Sequence, residues 1–257
     1  MKRAGILIAL AAGLASTPAA AERIVASLSV HRVMVTQSFT GLDIVLFGTV
    51  ERDSATIPRR SGYDLAVTVT GPRESFVTRQ KERMAGIWVN AESRTFVDVP
   101  AYLAVLATRP FDDFTSAETQ SRLQLGFRRI VLPQQIGADL ADVVRDDPFR
   151  VAFIRLREQR KLYIEQTDAV TFMTPQLFRA TIPLPPEVPI GNYDVDVKLF
   201  ADGVMIARTN SAFEIVKVGF ERFVANSAQN HGVLYGLATA LMALMTGWFA
   251  SVVFRRD

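Results

Sequence analysis

The fold is decided by residues 193–208, which read YDVDVKLFADGVMIAR. The runs Tyr193–Phe200 and Val204–Arg208 flank Asp202-Gly203. A type I′ turn takes positive φ at both central residues, and Asp-Gly is one of the pairs that tolerate this conformation. The stretch therefore predicts a β-hairpin, and a last strand is predicted from Ala212 to Val218.

Two upstream segments extend the β pattern. Residues 63–70 alternate with period two, so Tyr63, Leu65, Val67 and Val69 are expected on one face of a half-buried antiparallel strand that Gly71-Pro72 ends. Residues 43–50 are apolar on both faces, which predicts a strand covered on both sides.

The alternation also changes phase early in the chain, between Leu28-Val30 and Val33-Val35, which predicts a break near His31-Arg32. Further short strands are predicted at 76–81, 86–89 and 96–99. Together these segments favour a mainly β chain built on an immunoglobulin-like β-sandwich. Whether the strands form one sandwich or two stays open at this point.

A helical insert is predicted between the two groups of strands. Thr115 and Glu118 have the spacing of a capping box for a helix that Gly126 could close. Residues 133–145 carry a second helical pattern. Asp147-Pro148 has the form of an N-cap followed by proline at the first helical position, opening a third helix that runs to about Lys161.

An uncharged run of 23 residues, 232–254, is followed at once by Arg255-Arg256-Asp257. At about 1.5 Å per residue this run reaches roughly 34 Å, enough to cross a bilayer core of about 30 Å. It predicts a C-terminal transmembrane helix, with Arg255 and Arg256 as the topology determinants that remain in the cytoplasm.

Two rows of small side chains run along that helix at four-residue spacing. They form a candidate helix-packing face, although glycine and alanine are also common in membrane helices. The first row is Gly232, Gly236 and Ala240, and the second is Thr239, Ala243, Gly247 and Ser251.

The amino terminus predicts a secretory signal. Lys2-Arg3, a short apolar stretch and Ala19-Ala20-Ala21 lead to expected cleavage between Ala21 and Glu22, with a retained anchor as the alternative. The formal charge of +3 belongs to the two ends, because residues 22–254 sum to zero once Lys2, Arg3 and the C-terminal tail are set aside. We therefore expect no nucleic-acid partner.

The domain organisation follows from these features. Residues 219–231 are either a juxtamembrane helix on the membrane surface or the first turns of the membrane helix. The predicted units are the signal peptide 1–21, a β-sandwich segment 22–107, the helical insert 108–165, an immunoglobulin-like hairpin segment 166–218, the linker 219–231, the transmembrane helix 232–254 and the tail 255–257.

Motifs for chemistry are scarce. The chain has no cysteine and two histidines, His31 and His231, and it lacks the phosphate-loop, dinucleotide and calcium-loop patterns. The pairs Asp112-Asp113 and Asp146-Asp147 suit helix starts better than catalysis, although a pair of carboxylates for glycoside hydrolysis stays open. No catalytic residue, cofactor or metal ligand is predicted, and the protein is expected not to be an enzyme.

The insert is rich in positive charge, which is typical of a solvated helix face and, less often, of a docking face for an anion or acidic partner. The residues are Arg145, Arg150, Arg155, Arg157, Arg160 and Lys161.

Three stretches carry a family resemblance: IVASLSVHRVMVTQSFTGLDIVLFGTVE (24–51), VPIGNYDVDVKLFADG (188–203), and GFERF (219–223) followed by HGVLYGLATALMALMTGWFASVVFRR (231–256). With these the chain resembles the alphaproteobacterial putative transmembrane protein family. The resemblance implies a signal peptide, a periplasmic domain and a single C-terminal span in the bacterial inner membrane. It also implies an accessory role beside a permease similar to sulfite or organosulfonate exporters.

These features lead to one functional hypothesis and two alternatives. The first is a single-pass inner-membrane protein whose periplasmic β-domain binds a partner, either a permease or a second copy joined through the membrane helix. The alternatives are a membrane-tethered periplasmic hydrolase that uses a carboxylate pair, and an envelope scaffold without a ligand.

Overall fold

The computed structural model describes residues 22–52, 62–136, 139–142, 146–219, 228–229 and 231–253. The strands are β1 (Arg23–Leu28), β2 (Arg32–Val35), β3 (Leu42–Glu51), β4 (Asp64–Thr70), β5 (Arg73–Met84), β6 (Ile87–Pro100), β7 (Leu103–Ala107), β8 (Pro133–Ile136), β9 (Asp139–Asp142), β10 (Tyr163–Gln166), β11 (Val170–Phe172), β12 (Leu177–Leu184), β13 (Gly191–Ala201) and β14 (Val204–Lys217). The helices are α1 (Phe111–Phe114), α2 (Ala117–Arg122), α3 (Pro148–Gln159) and α4 (Gly232–Val253). The chain is mainly β, as the sequence predicts.

Two sheets form a sandwich. The first has the order β1-β3-β12-β11 and is antiparallel throughout. The second has the order β10-β7-β4-β13-β14-β2, with parallel pairs only at its two edges, β10 with β7 and β14 with β2. Strands from before and after the insert pair in both sheets, so the two segments share one sandwich.

The topology is immunoglobulin-like, with the order of a variable-type domain. The break predicted near His31-Arg32 is confirmed: β1 pairs with β3 in the first sheet, and β2 crosses to pair with β14 in the second. Tyr193, near the start of β13, donates its hydroxyl to the carbonyl oxygen of Pro189 at 2.5 Å. This contact matches the tyrosine corner of immunoglobulin-like domains, which fixes the connection between the two sheets.

The second sheet is buried on both faces along β7, the first half of β4 and the end of β13. Leu65, Val67 and Val69 of β4 point into the core between the sheets. On the opposite face, Ala66 and Phe200 join a second core that the insert covers. Phe153 of α3 stacks on Phe96 of β6 with ring centroids 4.4 Å apart, so helix and hairpin close this second core together.

The insert contains strand as well as helix. Its strands β8 and β9 extend the long β5–β6 hairpin, which precedes β7, into a third sheet of order β5-β6-β8-β9. The predicted helix at 133–145 is wrong, because β8 and β9 pair there and Gln134 and Gln135 join the edge of β6. Leu140, part of the helical pattern, is 63% exposed. Backbone hydrogen bonding to the edge of β6 therefore outweighs the helical spacing of the apolar residues in this segment.

The helix starts are partly confirmed. Asp147 caps α3 as predicted, its carboxylate accepting from the backbone N–H of Arg150 at 2.9 Å. The capping box predicted at Thr115 is displaced by one residue, because Ser116 caps α2. Thr115 is buried instead, and its hydroxyl donates to the carbonyl oxygen of Gly203 at 3.3 Å. Helix α2 ends at Arg122 rather than at Gly126.

Several predicted strands are parts of longer ones. The predicted strands 86–89 and 96–99 both fall in β6, which begins at Ile87, and 204–208 and 212–218 both fall in β14, which ends at Lys217. The register of β5 with β6 shifts twice, and each shift changes the phase of the side-chain pattern. Periodicity therefore breaks in the sequence where the strand itself continues.

The expected burial of two strands is reversed. Residues 43–50 were expected to be covered on both sides, yet Phe47 and Thr49 of β3 are exposed. Residues 63–70 were expected to be half-buried, yet the first four residues of β4 are all buried. Packing between distant parts of the chain explains both differences. Strand β4 is buried because the insert covers the outer face of its sheet, whereas β3 lies in the first sheet, whose outer face is exposed at Phe47 and Thr49.

Buried tyrosine hydroxyls form hydrogen bonds between distant parts of the domain. Tyr102 donates to the carbonyl oxygen of Pro183 in the opposite sheet at 2.6 Å, and Tyr163 donates to that of Pro100 at 2.8 Å. Burial raises the pKa of Tyr102, Tyr163 and Tyr193 well above the ordinary value of 10.0. All three side chains must lose their hydroxyl proton more easily in the unfolded chain.

We predict that alkaline pH destabilises the domain through these tyrosines. Because each folded-state pKa lies above the unfolded value, the stabilisation is complete below pH 10.0 and is lost as pH rises beyond it. Each group should lower the free energy of unfolding by about 1.4 kcal/mol per pH unit above that point. Urea unfolding at several alkaline pH values, followed by circular dichroism, measures the slope.

Tyr102→Phe provides the matched variant. It removes one of the three ionisable groups, so its slope above pH 10.0 should be shallower by about 1.4 kcal/mol per pH unit. An unchanged slope would show that Tyr102 does not contribute to the alkaline transition.

Candidate functional site: an acidic cleft at the turn end of the sandwich

A cleft of about 920 Å³ opens at one end of the sandwich. Three separate parts of the chain meet there: the start of β4, the segment 109–116 after β7, and the β13–β14 turn. We call this the turn-end cleft; the residues that line it are Gly62, Tyr63, Asp64, Arg109, Asp112, Asp113, Phe114, Thr115, Ser116, Asp202, Gly203 and Val204. In immunoglobulin-like domains, loops gather at the two ends of the sandwich and often carry the binding function.

The floor of the cleft is held by an ion pair. Arg109 binds Asp64 with two hydrogen bonds, Nε to Oδ1 at 2.8 Å and Nη2 to Oδ2 at 2.7 Å. The hydroxyl of Thr108 donates to the same Oδ1 at 3.1 Å. These hydrogen bonds to Asp64 are the main cause that raises the pKa of Arg109 above its ordinary value. Planar bidentate pairing of this kind fixes both side chains.

Helix α1 forms one wall. Phe114 packs edge-on against Phe200 of β13, with ring centroids 5.3 Å apart. Asp112 and Asp113 lie in the first turn of α1, where negative charge is favourable, as the sequence predicts for such pairs. The buried side chain of Gln120 donates to Asp112 at 2.9 Å, which orients that carboxylate.

The β13–β14 turn forms the opposite wall. Asp202 and Gly203 have φ values of 51° and 84°, so the predicted turn with two positive φ angles is confirmed. Four aspartates line the cleft against one arginine, since Asp202 joins Asp64, Asp112 and Asp113. The cleft is therefore acidic and suits a cationic group better than an anion.

The cleft lies at the end opposite to the point where the chain leaves the sandwich. Strand β14 starts beside the cleft at Val204 and ends at Lys217, where it pairs with Val35 of β2. The chain then continues to α4. The cleft and the membrane-directed end are thus separated by the full length of β14.

The two histidines do not contribute to this cleft. His31 is exposed next to β2, and its backbone oxygen accepts from the N–H of Glu214. His231 precedes α4, where its oxygen accepts from the N–H of Tyr235. Within the described ranges, no group of three or more histidine, cysteine, aspartate or glutamate residues is placed to hold a metal ion.

The basic residues of the insert do not share one face. Arg150 is buried and donates to the carbonyl oxygen of Ile130 at 2.5 Å. Arg157 lies over the ring of Phe76 at 3.7 Å, and burial lowers its pKa. Arg155, Arg160 and Lys161 are exposed, and Arg145 lies outside the described residues. Two of the six basic residues therefore stabilise the insert from within.

Helix α4 carries all seven residues of the predicted packing face. Residues Gly232–Ser251 have a mean hydropathy of 1.6, so the helix is long and apolar enough to cross a membrane. None of this stretch is buried against the rest of the protein. At roughly 100° per residue, both rows of small residues fall within one sector of roughly 120°. A Cβ added at Gly236 or Gly247 would meet nothing within 4 Å.

Some predicted residues can be placed only in part. Thr239 donates its hydroxyl to backbone oxygens of its own helix, at 3.0 Å to Tyr235 and 2.9 Å to Gly236. Glu22 is buried, and its carboxylate accepts from the hydroxyl of Tyr63 at 2.9 Å. The other half of the predicted cleavage site, Ala21, lies outside the described residues, as do Arg255 and Arg256.

The turn-end cleft was not predicted from the sequence. The sequence pattern places Asp112 and Asp113 at a helix start, Asp202 in a hairpin turn and Asp64 in a strand, so each has a local explanation. The one available signal was the fold itself, because the tyrosine-corner topology places the β3–β4 and β13–β14 connections at the same end.

The chain was compared with curated proteins and with protein-family models. A search of the curated proteins found no match. A family model described as "Putative transmembrane protein (Alph_Pro_TM)" matches residues 23–256, which includes the whole sandwich, the insert and α4. The chain therefore belongs to this family of transmembrane proteins.

Proposed function

We propose that this protein is a single-pass protein of the bacterial inner membrane whose β-domain binds a partner in the periplasm through the turn-end cleft. The observation that carries the proposal is the position of the cleft: a recess of about 920 Å³ lies at the end of the sandwich opposite to the chain's exit towards α4. A domain tethered at one end leaves its other end accessible to a partner. In this proposal the protein is not an enzyme.

The proposed orientation rests on the two ends of the chain. An n-region, apolar stretch and A-x-A site at residues 1–21 support export and cleavage after Ala21. Arg255 and Arg256 support a cytoplasmic C-terminus, since positive residues that flank a span favour the inner side. Together these features support a periplasmic location for residues 22–231.

The charge of the cleft narrows the class of partner. Asp112, Asp113 and Asp202 would repel a free anion such as sulfite, so the cleft does not suit the cargo of an anion exporter. It suits lysine or arginine side chains on a protein surface. A permease similar to sulfite or organosulfonate exporters, the partner that the family resemblance implies, would be bound through its basic periplasmic segments.

Site-specific photocrosslinking tests the cleft. A photoreactive residue at Val204, which lines the cleft and is 62% exposed, should crosslink to a membrane partner in native membranes. The double variant Asp113→Asn, Asp202→Asn should reduce that crosslink at least severalfold, and added salt should reduce it further because the contact is electrostatic. The crosslinked band is quantified by immunoblot.

Two controls isolate the effect. The same photoreactive residue at Met173, which is 60% exposed and lies outside the cleft, should give no such band. The variant Glu118→Gln, Glu187→Gln removes the same charge from exposed sites outside the cleft and should leave the Val204 crosslink unchanged. Equal bands from Val204 and Met173 would contradict the proposal and favour the envelope scaffold.

A second function is favoured by the same carboxylates. A glycoside hydrolase needs two carboxylates across an open cleft, and the turn-end cleft offers Asp112, Asp113 and Asp202. Asp113→Asn would then abolish hydrolysis of an envelope glycan by the purified protein. Glycan cleavage that depends on Asp113 would replace the binding function with the hydrolase.

The small-residue face of α4 supplies a second contact with the partner in this proposal. Small side chains let two helices approach closely and gain dispersion contacts. Because the spaces beside Gly236 and Gly247 are open, leucine there would keep the helix intact while holding a neighbour away.

We predict that Gly236→Leu and Gly247→Leu each lower recovery of the partner, whether a permease or a second copy, by about tenfold, equivalent to about 1.4 kcal/mol. Detergent co-purification with a tagged protein measures this. Leu241→Ile, on the opposite face, is the matched control and should leave recovery unchanged. Full recovery with both glycine variants would remove the helix face from the proposal.

A further inference from the structure

The β5–β6 hairpin is the most exposed part of the domain. Strand β5 has 12 residues and β6 has 14, and their roots are anchored by Phe76 and Phe96 in the second core. From Arg79 to Glu92 nearly every side chain is exposed. The hairpin therefore projects from the domain as a two-stranded arm.

The end of this arm is apolar. Met84, Ile87 and Trp88 are 59%, 65% and 68% exposed, and Ala85-Gly86 forms the turn between them. We call residues 84–88 the hairpin apex. Large apolar side chains grouped at an exposed tip are unfavourable in water, and they indicate a surface that something else covers.

The residues of the turn between β5 and β6 also indicate an apolar apex. Ala85 and Gly86 have φ values of 50° and 87°, so the apex has two positive φ angles, as at Asp202-Gly203. Such turns favour asparagine or aspartate at the first position, since alanine pays a conformational penalty there. The turn beside the acidic cleft carries aspartate, and the turn at the apex carries alanine. The apex thus lacks polar side chains at a position where they would be favourable.

Positive charge lies directly behind the apex. Arg83 is the cross-strand neighbour of Trp88, and Lys81 and Arg79 precede it along β5. Glu82 is the one acidic residue among residues 79–88. An apolar tip with basic residues behind it matches the layers of an anionic bilayer surface, where tryptophan is also favourable.

The size of the apex favours a bilayer over a protein partner. Three side chains of this kind expose roughly 400 Å², given that an aromatic side chain carries up to about 250 Å². A stable protein interface takes about 800 Å² from each partner and needs a complementary surface. A bilayer accepts a small convex apolar tip without a preformed pocket.

The length of the tether is compatible with contact between the apex and the bilayer. The root of the hairpin lies beside the exit of the chain, because a Cβ added at Gly191, the partner of Ile215, would lie 3.2 Å from Pro72. Twelve residues of β5 extend about 40 Å. Fourteen residues, 218–231, separate β14 from α4, and a chain of that length spans at most about 48 Å. This upper bound is comparable with the length of the arm, so the linker length does not exclude contact between the apex and the bilayer.

We propose that the hairpin apex inserts into the headgroup layer of the same bilayer that α4 crosses. Trp88, Ile87 and Met84 enter the interface, and Arg79, Lys81 and Arg83 contact anionic headgroups. The insertion is shallow, because the backbone groups of an open hairpin cannot be left unpaired in hydrocarbon. The β-domain is then held to the membrane at two points, α4 and the apex, and this contact is independent of the partner proposed for the turn-end cleft.

The chain provides its own probe. It contains two tryptophans, Trp88 and Trp248, so Trp248→Phe leaves Trp88 as the sole tryptophan. The full-length variant is reconstituted into vesicles of equal parts phosphatidylcholine and phosphatidylglycerol. Trp88 emission should be lost when spin-labelled lipids carry the label near the headgroup, and it should be largely protected from aqueous iodide. Labels deep in the acyl chains should quench less.

A matched variant tests whether the apolar neighbours of Trp88 hold it in the bilayer, rather than Trp88 merely lying near the membrane surface. Met84→Ser, Ile87→Ser in the same background keeps Trp88 and removes its apolar neighbours, so lipid quenching should fall and iodide quenching should rise, with an unchanged circular dichroism spectrum. Replacing phosphatidylglycerol by phosphatidylcholine should weaken lipid quenching in the parent protein.

Two outcomes would overturn the proposal. Trp88 quenched by iodide and untouched by lipid labels would show a solvent-exposed apex. Protection from both quenchers would show that a second copy of the chain covers the apex.

Discussion

Burial of β7 and the first half of β4 on both faces is the constraint on which the rest of the structure depends. Val67 of β4 faces the sandwich core while its neighbour Ala66 faces the insert, so the strand has no solvent-exposed side at its amino end. A sandwich alone would leave Phe200 in water. The insert removes this apolar surface from solvent, and burial of apolar surface is the main favourable contribution to folding.

The position of the insert also explains the two candidate surfaces. It leaves the sandwich through β5, beside the exit of the chain, and it begins again at α1, beside the β13–β14 turn. The turn-end cleft therefore forms where α1 meets the turn, and the β5–β6 arm extends from the other end. Two insertions into an immunoglobulin-like frame, one before β7 and one after it, thus produce a projecting apex at one end and a recess at the other.

The sequence predicts the local features of this fold better than their assembly. Asp202-Gly203, the cap at Asp147 and the break near His31-Arg32 are each set by backbone conformation over a few residues, and all three are confirmed. The segment 133–145 was predicted wrongly because its apolar spacing fits a helix, while the edge of β6 that pairs with Gln134 lies far away in sequence.

The candidate site was out of reach of sequence reasoning for the same reason. Asp64 begins β4, Asp113 lies in α1 and Asp202 lies in the β13–β14 turn, and only the pairing of β4 with β7 and β13 brings them together. Each residue fits its own element, so no single motif marks the cleft. The membrane helix was predictable because length and hydropathy alone decide it.

In the orientation that we propose, α4 spans the membrane and the whole β-domain lies on the outer side of it. Protease added to intact spheroplasts tests this most directly, with an antibody against a C-terminal tag as the readout. With the β-domain outside, we expect loss of the full-length band and survival of a short tagged fragment protected by the membrane. A full-length chain that resists protease until the spheroplasts are lysed would contradict it.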